Sequence, residues 1–239
     1  PMLESFNVDG FTTGDHHNTN TNSHVAWNWK AGGASSTNTN GSISAAVSAN
    51  VNAGFSIIKW TKDGSSGTKT VGHGLSAVPQ VIIFKEVDDP SHWAVYVGVA
   101  GSTTRGLMYL NLTAAQTTND ANQWSDTAPT STVFTYNQQY SFGNNNDKIM
   151  IGYAFHSVDG YSKMGSYVGN GSADGTFVYT GFRPAWLLVR DINNANHWFC
   201  VDAVRGPYNV LNEELRPNAS TAEQANITFD FTSNGFKAC

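Results

Sequence analysis

The stretch Gly160–Trp198, GYSKMGSYVGNGSADGTFVYTGFRPAWLLVRDINNANHW, decides how the chain is read. It joins a glycine-rich turn, an apolar strand pattern and a His-Trp pair. An earlier stretch, Gly54–Trp93, GFSIIKWTKDGSSGTKTVGHGLSAVPQVIIFKEVDDPSHW, carries the same features in the same order. Pro184 lies 105 positions after Pro79, and His197-Trp198 lies the same 105 after His92-Trp93. Gly171 lies 107 after Gly64, so the register slips only in the turn between them. A shared order at one offset marks an internal repeat, and each repeat is one unit of structure.

Working outward, short apolar runs are separated by Gly, Asn, Asp and Ser every 10 to 15 residues or so, which favours an antiparallel sandwich over alternating strands and helices. Strands are predicted at Phe55–Trp60, Val81–Phe84, Trp93–Val97, Leu107–Leu112, Val133–Thr135 and Ile149–Phe155. Tyr161–Val168, Phe177–Tyr179, Ala185–Arg190, Trp198–Asp202 and Ile227–Phe231 repeat the pattern. The continuous run Val81–Phe84 suits a strand covered on both faces. Thr113–Asn122 is the one helical candidate in the first unit.

The expected fold class is therefore all-β, with two tandem antiparallel β-sandwich repeats of jelly-roll type. Residues 54–159 form the first repeat and residues 160–239 the second. Ser233-Asn234-Gly235-Phe236 matches Ser131-Thr132-Val133-Phe134, and nothing after it corresponds to the IMIGYAF strand, so the second repeat reads as lacking its last strand. Residues 1–53 read as an N-terminal segment. Within it Val25, Trp27 and Trp29 share one face of a strand at Val25–Lys30 that stands before GFSIIKW as IMIGYAF stands before GYSKMGSY. That strand is read as the last of an upstream repeat. It can close the second repeat, complete a neighbouring subunit, or be a remnant beside an edge left open by fragmentation. The chain opens on Pro1, as a processed, tagged or excised piece would.

Composition narrows the function classes. Of the 239 residues only 13% are charged while 12% are aromatic, which is not the signature of disorder. Net charge is −5 with no concentrated Lys/Arg face, so nucleic acid is not expected as a partner. No apolar run approaches the roughly 20 residues of a membrane span. Cys200, in WFCVD, reads as a buried thiol and Cys239 as a terminal one, too few for a disulfide framework.

The motifs VAWNWKAGG, AGF, TVGHGL with its Pro-led strand, and GYSKMGSYVGNGSADGTFVYTGFRPAWLLVR resemble a repeat found in large structural proteins of marine tailed bacteriophages. The resemblance covers residues 24 to 238. It implies concanavalin- or laminin-G-like sandwich modules and a place in a tail fibre, another appendage or the capsid decoration. It implies a virion or extracellular location, other virion proteins or self-assembly as partners, and attachment to a host-surface glycan. Members of that family continue past the NGFK position into one more strand, where this chain reads Lys237-Ala238-Cys239. The resemblance carries no catalytic residue.

Two further function classes were weighed from the residues themselves. A surface Trp stacks on sugar rings and a His bonds hydroxyls, so His92, Trp93, His197 and Trp198 are the candidate ligand residues of a lectin-like module. Set against this, Trp93 and Trp198 can open core strands, and Trp60 and Tyr167 are placed alike. A sandwich glycosidase needs two facing carboxyls. Glu86, Asp88 and Asp89 fall in one loop, Glu213 and Glu214 are adjacent, and Asp230 faces away from Phe229 and Phe231, so no pair stands out. His73 in VGHGL is matched by the Thr-Gly of YTGF in the second repeat, which favours a turn role over base catalysis. No cofactor is expected. Calcium at KDGSSG, GNNNDK or GNGSADG is the one candidate, with one Asp in each loop. Asp15-His16-His17 with His24 reads as a loop, because adjacent side chains of an extended chain point apart. Arg183, Arg190 and Arg205 have no phosphate-binding context.

Overall fold

The computed structural model describes residues 3–14, 23–98, 106–117, 123–139 and 147–239. Among these the chain is all-β, with antiparallel sheets and no helix. Thr113–Thr117 has no helical structure, and the rest of that helical candidate lies outside the described residues.

The strands are β1 (Leu3–Phe6), β2 (Phe11–Thr13), β3 (Ser36–Asn38), β4 (Ala45–Asn50), β5 (Phe55–Thr61), β6 (Thr68–Gly72), β7 (Val81–Glu86) and β8 (Ala94–Val97). They continue as β9 (Leu107–Tyr109), β10 (Val133–Asn137), β11 (Ile149–Phe155), β12 (Thr176–Tyr179), β13 (Trp186–Arg190), β14 (Trp198–Asp202), β15 (Phe229–Thr232) and β16 (Gly235–Ala238). A seven-stranded sheet runs β3-β4-β5-β11-β7-β8-β9, and the ribbon β6–β10 lies across one of its faces. Between them sits the main core, with Ile58, Trp60, Ile82, Phe84, Met150 and Ala154 from the sheet meeting Val71, Phe134 and Tyr136 from the ribbon and Trp124 from a loop. This two-layer packing is sandwich-like. The strands were legible as apolar runs, and their register follows from the period of two. Ile82 and Phe84 point into the core, while Val81 and Ile83 point to the other face.

That other face is covered by the C-terminal part of the chain. Leu188 of β13 and Trp198 of β14 pack on Val81, Ile83, Val95, Val97, Met108 and Leu110. The opposite face of the β13–β14 hairpin, through Leu187, Val189 and Val201, meets Val178, Phe229, Phe231 and Phe236 of the sheet β12-β16-β15.

The offset read from the sequence recurs in the pairing registers. β7 and β8 pair Val81 with Val97 and Ile83 with Val95; β13 and β14 pair Trp186 with Asp202 and Leu188 with Cys200, 105 positions on in every case. Val95 then pairs with Met108, and Cys200 with Leu215. Phe134 pairs with Val71, and Phe236 with Val178. Trp60 meets Phe134 edge-on at 5.7 Å, and Tyr167 meets Phe236 edge-on at 5.8 Å. Gly64 and Gly171 both take positive φ, 69° and 67°, the left-handed turn conformation that glycine adopts without strain.

Three expectations are corrected, and one is matched at β13. Val25–Lys30 belongs to no strand: Trp27 and Trp29 reach the C-terminal part only by their rings, which lie 6.5 and 5.2 Å from that of Trp186. The place before GFSIIKW is taken instead by β4, which forms the hairpin with β5. Tyr161–Val168 is no strand beyond a bridge between Val158 and Ser162. In unit one β11 is bonded on both sides, to β5 and to β7; in the C-terminal part the side of β13 that matches the β11 side of β7 has no partner among the described residues. Finally, the polar start of the chain contains the hairpin β1–β2, with Phe6 opposite Phe11.

Candidate functional site

The corner where β8 begins and β9 ends is the most elaborate polar arrangement to recur in both halves. Pairing of Ala94 with Tyr109 brings Trp93 beside Asn111. The Asn111 side chain holds two groups at once: its Oδ1 accepts the Trp93 backbone N–H at 3.0 Å, and its amide nitrogen lies 3.0 Å from Nδ1 of His92. A backbone N–H can only donate, so the amide oxygen must face it and the amide N–H₂ must face the imidazole. Nδ1 of His92 is then the acceptor, and neutral His92 carries its proton on Nε2. Asn218 repeats this: Oδ1 accepts the Trp198 N–H at 3.1 Å, and the amide nitrogen lies 3.1 Å from Nδ1 of His197. The reading of the sequence missed both asparagines. The signal was present, because Asn111-Leu112-Thr113 and Asn218-Ala219-Ser220 lie 107 apart, the offset of the two glycine turns.

The four candidate ligand residues thus fall into two matched corners that differ in exposure. In the first, His92 is exposed and lies 5.1 Å from the Tyr109 ring, and half-buried Trp93 stacks on Tyr153 at 6.2 Å. In the second, Trp198 is 7% exposed. Its Nε1 donates to the Tyr109 carbonyl at 2.9 Å, and the Arg190 guanidinium lies 5.3 Å from the ring centre. Arg190 in turn donates to the carbonyls of Leu112 and Ala114. Trp198 offers no face for a sugar: it is the peg that joins the two halves, and the lectin-like reading survives only at His92 and Trp93.

The remaining candidates hold structure together. His73 is buried, with Nδ1 accepting from the Leu75 N–H at 3.1 Å and Nε2 donating to the Thr130 carbonyl at 3.1 Å. Thr180 takes its place in the second half, where Oγ1 accepts from the Phe182 N–H. Glu86 is the last residue of β7 rather than part of the loop, and it is buried against Lys62 at 3.1 Å. Burial pushes the Glu86 carboxyl pKa up, the Asp89 carboxylate adds to this, and the Lys62 ammonium opposes it. Lys148, 3.0 Å away, holds Asp89 below its ordinary value. Glu214 is buried beneath Arg216.

In KDGSSG, Asp63 accepts from Ser65, from Gln138 and from the Lys69 ammonium, whose bond lowers its pKa most. A calcium ion there would have to displace a lysine. In GNGSADG, Asn170 and Ser172 bond their own turn and Asp174 pairs with Lys237. GNNNDK lies mostly outside the described residues, as do Asp15, His16 and His17. No group of three metal-ligating side chains occurs among the described residues. Both cysteines are free, and burial pushes the Cys200 thiol up to about 12.

A family model described as a domain of unknown function, DUF7483, matches residues 1–239. The chain belongs to this family. No curated protein and no solved structure matches it.

Proposed function

We propose that this DUF7483 chain is a non-enzymatic structural module of two tandem jelly-roll-like sandwich repeats, working in the appendage or surface decoration of a phage particle and contributing to host attachment. The observation that carries this reading is what the two halves share. The matched polar side chains, His92–Asn111 and His197–Asn218, His73 and Thr180, bond the chain's own turns and strand starts. Duplication has kept architecture, as in proteins whose task is to extend and present a surface. The virion context rests on the resemblance of the GYSKMGSYVGNGSADGTFVYTGF and VAWNWKAGG motifs.

A second reading has its own observation. At the first corner Asn111 fixes His92 as a donor through Nε2 on an exposed residue, next to a half-buried Trp93, and this suits a sugar hydroxyl and a pyranose face. Light scattering with particle imaging, run beside a glycan array, separates the readings. Trimers or filaments without turnover of polysaccharide are expected. A monomer whose glycan binding vanishes in Trp93→Ala, with the fold intact, would replace the structural reading by the lectin one. Polysaccharide hydrolysis by the purified chain would overturn both.

A further inference from the structure

The first half is an internal control for the outer face of the sheet β12-β16-β15. Pairing of Phe236 with Val178 repeats that of Phe134 with Val71, so Phe177 and Tyr179 stand where Thr70 and Gly72 stand in the first half. These positions alternate with Val71 and Val178, which enter the two cores, so they face outward. In the first half the chain roofs this face itself. The Ser42 N–H donates to Thr70 Oγ1 at 2.8 Å and the Thr70 N–H to Ser42 Oγ at 2.9 Å. Asn38 lies so close on Gly72 that a Cβ there would stand 1.9 Å from its Oδ1. In the second half the same positions carry two rings, with Phe177 48% and Tyr179 66% exposed. Two glycines let these rings lie down. Gly235 is opposite Tyr179, and a Cβ on it would stand 3.0 Å from two carbons of the Phe177 ring, which rests where a side chain would begin. Tyr179 leans toward Gly181, whose Cβ would stand 3.7 Å from the phenol oxygen. At the rim Lys237 lies opposite Phe177 and Asp230 and pairs with Asp174. The fold does not call for these rings, because the first half builds the same ribbon with a threonine and a glycine.

We propose that Phe177 and Tyr179 form a stacking platform for a neutral glycan, a site separate from the His92–Trp93 corner. Sugar rings lay their C–H faces on the aromatic rings, and their hydroxyls meet the charged groups of Asp174, Asp230 and Lys237 at the rim. Two observations select this occupant. The sheet has three strands of four residues each, a face of roughly 200 Å². A stable protein interface takes about 800 Å² from each partner, so this face is too small for a protein and wide enough for a short run of sugar rings. Two carboxylates flank one ammonium at the rim, and the whole chain carries −5. That balance repels phosphates and acidic sugars and leaves a neutral ligand. The proposal uses the divergence of the two copies and not the virion role.

The test is an array of neutral and acidic glycans probed with the full chain. Phe177→Ala, Tyr179→Ala, Tyr179→Phe and Phe6→Ala are run beside it, each shown by urea unfolding to keep its fold. The expected result is saturable binding to neutral glycans that either alanine on the platform weakens at least about tenfold. Tyr179→Phe, which keeps the ring, should bind as the parent does. So should Phe6→Ala, which removes an exposed ring on β1. No binding to any glycan of the array, a preference for acidic glycans, or binding that both platform alanines retain would overturn the proposal. Loss in Trp93→Ala with both platform variants unaffected would move the glycan to the first corner. A dimer of the chain that Tyr179→Ala dissociates in sedimentation would give the face to a second copy instead.

Discussion

His73 shows how a residue that looks chemical is spent on structure. Both ring nitrogens are bonded, one accepting and one donating, so the folded protein needs the neutral ring, and burial holds its pKa below the ordinary 6.5. The unfolded chain takes up a proton near that value and the folded chain resists it. The stabilisation is thus complete above about pH 6.5 and drains away as the pH falls below it. Urea titrations from pH 7.5 to 5 should show this loss, and His73→Gln should flatten it while costing about 1–3 kcal/mol at neutral pH. A similar argument separates the two tryptophans. Trp198→Ala empties a buried site and should cost about 3–5 kcal/mol, whereas Trp93→Ala at a half-buried site should cost clearly less. Of these roles, the turn function of His73 was legible in the sequence because its counterpart is a threonine. The burial of Trp198 was legible too, as a Trp that opens a core strand, but its partners were not, because Met108 and Val95 come from the other half of the chain.

At the scale of elements, alternation and turn chemistry located most strands, since a strand covered on a sheet face must show its apolar residues in the sequence. Two errors have one cause. Val25–Lys30 and Tyr161–Val168 both have strand-like patterns, yet a strand exists only when its backbone finds a ladder of partners, and among the described residues neither segment joins one. β6 was overlooked because Thr68–Gly72 has little apolar character; its partner β10 defines it. The matched turns permit a direct check. Gly64 and Gly171 both have positive φ, so Gly64→Ala and Gly171→Ala should each cost about 1 kcal/mol in thermal or urea unfolding. A cost at only one of them would deny that the turns are equivalent.

Across the whole molecule, the two halves are joined by the β13–β14 hairpin lying on β7–β9, with Trp198 and Arg190 bonded to carbonyls near the end of β9. Such a junction should make unfolding a single transition. In Trp198→Ala the C-terminal half, which has the smaller core, should melt first, giving two calorimetric transitions. The pair of Lys62 and Glu86, buried on both sides, sits in the first half, so Lys62→Met, which strands a buried carboxylate, should lower only the later transition, by about 3–5 kcal/mol of stability. The central claim is that one β unit occurs twice and that in its second copy no strand lies between Tyr161–Tyr167 and β13 among the described residues. Amide hydrogen exchange at single-residue resolution on the chain alone tests this most directly. Slow exchange throughout Val81–Glu86, alternating slow and fast exchange along Trp186–Arg190, and fast exchange along Gly165–Tyr167 are predicted. Uniformly slow exchange along Trp186–Arg190 would mean that the edge is already filled and would contradict the account.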